Sequence, residues 1–177
     1  AVADLASGVR WERQNVLVDD GDRGDEYTYS YAGPTVSGAA RPGRLATAVT
    51  GDRGTVTVET LARLPAGLRP DRFARVPDTT DCGVRIVVTL DADADRVDVT
   101  TEIDNRARDH RLRVQFETRT RTLTHHAGAA FALLERANRV PTRPGWVAPP
   151  PEARCVNDVV AVKGPTAGLA IGVDGIR

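Results

Sequence analysis

Val84-Arg85-Ile86-Val87-Val88-Thr89-Leu90 is followed, after the turn-like Asp91-Ala92-Asp93-Ala94-Asp95, by Arg96-Val97-Asp98-Val99-Thr100-Thr101-Glu102-Ile103. These two runs decide the fold. In the first, Val84, Ile86, Val88 and Leu90 share one face against Arg85 and Thr89; in the second, Val97, Val99, Thr101 and Ile103 oppose Arg96, Asp98, Thr100 and Glu102. A period of two marks half-buried strands, and two such runs across a short acidic turn predict a hairpin. Working outward, Arg111 to Glu117 repeats the pattern with Leu112, Val114 and Phe116 inward and Arg111, Arg113 and Gln115 outward. Thr55 to Ala62 alternates likewise, and shorter strands are predicted over Asn15 to Val18 and Leu45 to Thr50. Phe131 to Arg136, Val156 to Val162 and Gly168 to Val173 add further strands. Arg63 to Asp81, with three prolines and mixed charge, reads as a long surface connection. Pro141 to Pro151, around Trp146, reads as a proline-rich one. The expectation is an all-β, antiparallel β-sandwich occupying residues 1–177 as one domain.

Composition narrows the function classes. Lysine plus arginine and aspartate plus glutamate number 24 each, so no global field recruits nucleic acid or an acidic membrane. No apolar run reaches membrane-spanning length, and Ala1 to Arg10 lacks the features of a signal peptide. A soluble, cytoplasmic protein is expected. The absence of methionine suggests a segment of something longer. Cys82 and Cys155 match no metal or redox spacing and are read as free thiols, with a bridge as the alternative.

Candidate chemistry concentrates in two stretches. Gly21-Asp22-Arg23-Gly24-Asp25-Glu26-Tyr27-Thr28-Tyr29 carries more chemistry than a turn requires. Its glycines permit positive φ or a close backbone approach, and Tyr27, Tyr29 and Tyr31 read as one face of a strand. The competing reading is a tight turn in which Arg23 pairs with Asp22 or Asp25. The second stretch, Asp104 to Arg113, joins two strong strands. We read Asn105, Asp109, His110, Arg111 and Arg113 as an ionic network that pins the register, with Asp109 accepting from Arg111 or loop amides; a ligand site is the alternative. His125 and His126 are adjacent, so on a strand they would point to opposite faces and could not easily share a metal; surface or core histidines are expected. The acidic run Asp19 to Glu26 fails the calcium-loop pattern, and no nucleophile elbow, phosphate loop or zinc-protease motif is present. No metal site is expected in this chain.

Gly21 to Tyr27, followed by Ile103-Asp104-Asn105 and Asp109-His110-Arg111-Leu112-Arg113-Val114, resembles the C-terminal β-domain of the α-mannosidases of glycoside hydrolase family 38. Phe131 to Arg136, Trp146 and Gly168-Leu169-Ala170-Ile171 are similar to later blocks of that domain. The resemblance implies a galactose-mutarotase-like supersandwich, here an incomplete portion, because the family's domain continues past Gly172-Val173-Asp174-Gly175. It implies a parent enzyme that is a retaining, zinc-dependent α-mannosidase acting on mannosylated glycans or mannosylglycerate. In that family the nucleophile, the acid/base carboxylate and the zinc ligands lie in an N-terminal α/β-barrel. The chain itself is therefore expected to be inactive and to need no cofactor of its own. Of the family's sugar-contacting residues the resemblance assigns only Tyr27, to a sugar hydroxyl; Asp25, Glu26 and Arg23 of the same loop are the further substrate-binding candidates. The implied partners are α-mannosides and the catalytic domain. A self-contained carbohydrate-binding sandwich and a purely structural domain are the alternatives.

Overall fold

The computed structural model describes residues 1–25, 27–38, 40–41, 43–140, 144–145 and 154–173. Among these residues there are thirteen strands and no helix. They are β1 (Val2–Ala3), β2 (Arg10–Trp11), β3 (Val16–Asp22), β4 (Tyr31–Ser37), β5 (Arg44–Thr50), β6 (Arg53–Pro65) and β7 (Thr79–Asp91). There follow β8 (Asp98–Asp104), β9 (His110–Gln115), β10 (Thr124–Ala129), β11 (Ala132–Ala137), β12 (Val159–Lys163) and β13 (Gly168–Gly172). Neighbouring strands pair antiparallel throughout. The expected all-β, antiparallel architecture is what forms. The chain divides into two compact units, one of Asn15–Gln115 and one of Ala1–Gln14 with Phe116–Arg177.

In the unit Asn15–Gln115 a four-stranded sheet, ordered β5-β6-β7-β8, faces a three-stranded sheet ordered β4-β3-β9. The predicted hairpin is β7–β8, with Val84 opposite Ile103 and Thr89 opposite Asp98. Ala62, Leu64, Cys82 and Val84 of the larger sheet pack with Leu17 of the smaller one, joined by Ile86, Ile103, Ala107 and Leu112. Burying apolar faces of two sheets against each other is the sandwich's main source of stability. The alternation is not buried along its whole length: Leu90 is 49% exposed, and β5 is exposed at every residue. The reason is length. β6 and β7 run for 13 residues each, whereas β3, β4 and β9 run for 7, 7 and 6 and cover only part of the larger sheet.

Two sequence expectations need correction. The strand expected to stop at Val18 continues through Asp22, because Asp19 and Asp20 both find partners inside the structure. The surface connection expected over Arg63 to Asp81 shrinks at both ends, since β6 runs to Pro65 and β7 starts at Thr79. A bridge between Leu68 and Arg75 closes what remains, and Arg75 is buried.

The other unit holds the β1–β2 pair and a sheet ordered β11-β10-β12-β13. The strands expected near Phe131, Val156 and Gly168 are β11, β12 and β13; β10, carrying His125 and His126, was not foreseen as a strand in its own right. Ala127 is buried, while Phe131, Leu133 and Leu134 stand exposed. Trp146 and the rest of the proline-rich connection lie outside the described residues, apart from Pro144 and Gly145. Both cysteines are free, Cys82 in the core and Cys155 exposed.

Candidate functional site

At one end of the smaller sheet, three loops of the unit Asn15–Gln115 meet: 23–30 after β3, 66–78 after β6, and 105–109 before β9. Backbone bonds tie them together. The Asp22 amide donates to the Asp109 carbonyl at 2.9 Å, and the Arg108 amide donates to the Ala66 carbonyl at 3.1 Å. Arg72 adds an ion pair to Asp109 at 3.1 Å. The Arg23 guanidinium lies 5.3 Å from the centroid of Phe73.

The first loop holds its shape with its own acids. Asp22 Oδ1 accepts from the amides of Gly24 and Ser30, each at 2.9 Å. Asp25 Oδ1 accepts from the amides of Tyr27 at 3.0 Å and Thr28 at 2.7 Å. Those two bonds hold the Asp25 carboxyl below the usual carboxylate range, the Tyr27 amide contributing most. Arg23 donates from Nε to Ser30 Oγ at 2.9 Å, so it serves neither Asp22 nor Asp25 as the tight-turn reading expected. The two glycines are needed for close approach, since neither has positive φ. A Cβ on Gly24 would collide with the Thr28 carbonyl, and one on Gly21 with the Ala32 carbonyl. With the acids spent on amides, Tyr27 projects into solvent, 92% exposed. Glu26 lies outside the described residues.

Tyr27, Tyr29 and Tyr31 do not form one strand face. Only Tyr31 belongs to β4, and the other two lie in the loop. Tyr29 instead folds back over the sheet, donating to Asp20 Oδ2 at 3.3 Å with the Arg111 guanidinium 4.4 Å from its ring centroid. Burial, then the Asp20 charge, pushes its phenol upward from the ordinary value.

Below the loops, β3 places charge on both of its faces. Asp19, fully buried, takes His110 Nδ1 at 2.5 Å and is in ion-pair contact with Arg75, whose side chain is 2% exposed. His110 Nε2 reaches Asn105 Oδ1 at 3.0 Å. Arg75 Nε has no acceptor among the described residues. On the opposite face Asp20 is paired with Arg113 and accepts from Thr35 Oγ1 at 2.6 Å.

The structure thus brings His110 and Asn105 together, and sends Arg113 and Arg111 to the other side of the sheet. Asp109 does not accept from Arg111. It sits at φ 48°, its side chain 39% exposed, paired with Arg72 at the surface. The buried carboxylates are Asp19 and Asp20, neither of which the sequence reading singled out, nor Arg75, the partner of Asp19. The available signal was position: Asp19 shares the inward face of β3 with Leu17. Phe73, 72% exposed beside Arg23, was also missed. Among the described residues no three of His, Cys, Asp and Glu converge as a metal set.

No family model matches this chain. Over its whole length it is 24% identical to a Halalkalibacterium halodurans protein named "Putative mannosylglycerate hydrolase", of which it spans 21%. An α-mannosidase from Enterococcus faecalis V583 superposes with a TM-score of 0.85 at 21% identity, over 96% of this chain and 21% of that one. A protein of glycosyl hydrolase family 38 from Enterococcus faecalis superposes with a TM-score of 0.81 at 21% identity, with the same coverage. The chain accordingly has the fold of a segment amounting to 21% of the length of each of these two structures.

Proposed function

We propose that this chain is the non-catalytic β-domain of a glycoside hydrolase akin to the retaining, zinc-dependent α-mannosidases, and that its Arg23–Tyr27 loop borders the mannoside site of a separate catalytic domain. One observation carries the reading: Tyr27 is 92% exposed on a loop held still by the Asp22 and Asp25 carboxylates. A phenol offers a sugar both a donor and an acceptor, together with a flat apolar face. Retaining hydrolysis needs two carboxylates about 5 Å apart across the sugar. Asp22 and Asp25 are committed to backbone amides, which supports a reading in which the reacting carboxylates come from the other domain.

The test has two arms. The 177-residue chain, given an aryl α-mannoside and zinc, should release no phenol. In a polypeptide joining this segment to a family 38 barrel, Tyr27→Phe should lower kcat/KM about threefold to tenfold, the worth of one neutral hydrogen bond, and leave the melting temperature unchanged. Turnover by the chain alone, or an unchanged kcat/KM in the variant, overturns the proposal.

A further inference from the structure

His110 faces an acceptor at each ring nitrogen. Nδ1 lies 2.5 Å from Asp19 Oδ1, and Nε2 lies 3.0 Å from Asn105 Oδ1. A neutral imidazole carries a single N–H and satisfies only one of them. Both acceptors are fixed as acceptors by other partners. Asp19 Oδ2 is in ion-pair contact with Arg75, whose side chain is 2% exposed. Asn105 Oδ1 also accepts from the Ala107 amide at 3.2 Å, which holds the oxygen of that side chain, and not its nitrogen, toward His110. Around this set β3 supplies Asp20 to Arg113 on the opposite face and Asp22 to the amides of Gly24 and Ser30. Loop 66–78 supplies Arg72 to Asp109, and β7 supplies Cys82, whose Sγ accepts from the Arg106 amide at 3.4 Å.

We infer that His110 is held as an imidazolium, with a proton on both nitrogens, and that the second proton latches the base of the Tyr27 loop. The doubly donating ring ties β3, through Asp19, to loop 105–109, through Asn105. That loop in turn anchors the Tyr27 loop, because the Asp109 carbonyl accepts from the Asp22 amide at 2.9 Å. Once the Nε2 proton leaves, a lone pair faces the Asn105 oxygen. Either the side chain turns and drops the Ala107 amide, or loop 105–109 backs away. A proton that the folded chain binds and the unfolded chain lacks stabilises the fold. That contribution is complete below about pH 6.5, the ordinary histidine value, and is lost as pH rises through the point where the folded ring gives the proton up. The turn around Asp25 has its own carboxylate caps and keeps its form. The latch acts on the geometry of the loop, so it stands apart from what Tyr27 binds.

The experiment is a long-range proton–nitrogen NMR spectrum of the 177-residue chain at about pH 7.5, a unit above the ordinary histidine value. Both ring nitrogens of His110 should be protonated, whereas the chain unfolded in urea should show the neutral pattern. Asn105 is exposed, so Asn105→Ala should fold, and at the same pH its His110 should show one bare nitrogen. Asn105→Asp, which puts a second carboxylate at Nε2, should hold both protons to higher pH than the parent. Hydrogen exchange at the Asp22 amide, corrected for its intrinsic pH dependence, should quicken at least about tenfold in the parent as Nε2 becomes bare, the worth of a charge-assisted hydrogen bond. A bare ring nitrogen in the parent at about pH 7.5, or two protons that survive Asn105→Ala, overturns the imidazolium. Asp22 protection that stays constant while His110 loses its proton overturns the latch.

Discussion

Removing the Asp19 carboxylate should be the most damaging single change to the unit Asn15–Gln115. Asp19 is fully buried, and its two partners are nearly so, Arg75 with 2% and His110 with 5% of the side chain exposed. In Asp19→Ala the guanidinium stays buried with no counter-charge, and His110 loses the acceptor that fixes its ring. Stranding one member of a buried ion pair costs about 3–5 kcal/mol, against a total of roughly 5–15 kcal/mol for a domain. Each kcal/mol is worth about 4–8 °C of melting temperature at this size, so the midpoint should fall by at least about 12 °C. Asp19→Asn keeps an acceptor and should fall in between. The matched control is Asp109→Asn, which tolerates the positive φ and loses only an exposed pair with Arg72, worth under about 1 kcal/mol. Thermal melts followed by circular dichroism measure all three. If Asp19→Ala melts within about 4 °C of the parent chain, equivalent to roughly 1 kcal/mol, the buried network does not hold this unit together.

Two further outcomes follow from the loop. Gly24→Ala should leave the melting temperature nearly unchanged, because the loop is exposed, yet its Cβ has to displace the Thr28 carbonyl and loosen the Asp22 caps. Hydrogen exchange at the Ser30 amide should then quicken at least about fivefold, corresponding to an overpacking cost of about 1–3 kcal/mol, and unchanged exchange would reject the close-approach argument. The loop should also loosen in acid. The Asp25 carboxyl is held low by the Tyr27 and Thr28 amides, so the order it contributes is complete above the usual carboxylate range and is lost as pH falls through its depressed value. Amide shifts of Tyr27 and Thr28 followed against pH should move together in that acidic window; movement near neutrality would contradict the assignment.

What could be read from the sequence was whatever a local period encodes. Val84, Ile86 and Ile103 alternate within one hairpin, so a window of a few residues contains the whole signal, and the register of β7 on β8 follows. The buried charges carry no such signal. Asp19 meets His110 across 91 positions of sequence and Arg75 across 56, and a contact at that separation leaves no periodic trace. An acid on an inward face even argues locally against a strand, which is why Val18 looked like its end. The tyrosines erred the other way: Tyr27, Tyr29 and Tyr31 have the spacing of a strand face, but the bonds of Asp22 and Asp25 to loop amides bend the first two out of β4. Arg111 illustrates the same limit. Its alternation with Leu112 and Arg113 placed it on the outward face, whereas its Tyr29 partner comes from a loop whose path the sequence does not specify.

Asp19 and Asp20 fix more than stability. Successive strand residues point to opposite faces, so these two acids make opposite demands: Asp19 needs Arg75 and His110 inward, and Asp20 needs Arg113 and Thr35 outward. A slip of one residue between β3 and β9 would bury Asp20 against the apolar core and strand both sets of partners. With that register set, β3 ends at Asp22, whose amide meets the Asp109 carbonyl and whose carboxylate begins the Tyr27 loop. The same register puts Arg111 opposite Asp20, within reach of Tyr29. The exposed Tyr27 and the stacked Arg111–Tyr29 pair are thus positioned by the partners of Asp19 and Asp20, and this accounts for ionic groups at places where apolar side chains would pack at less risk.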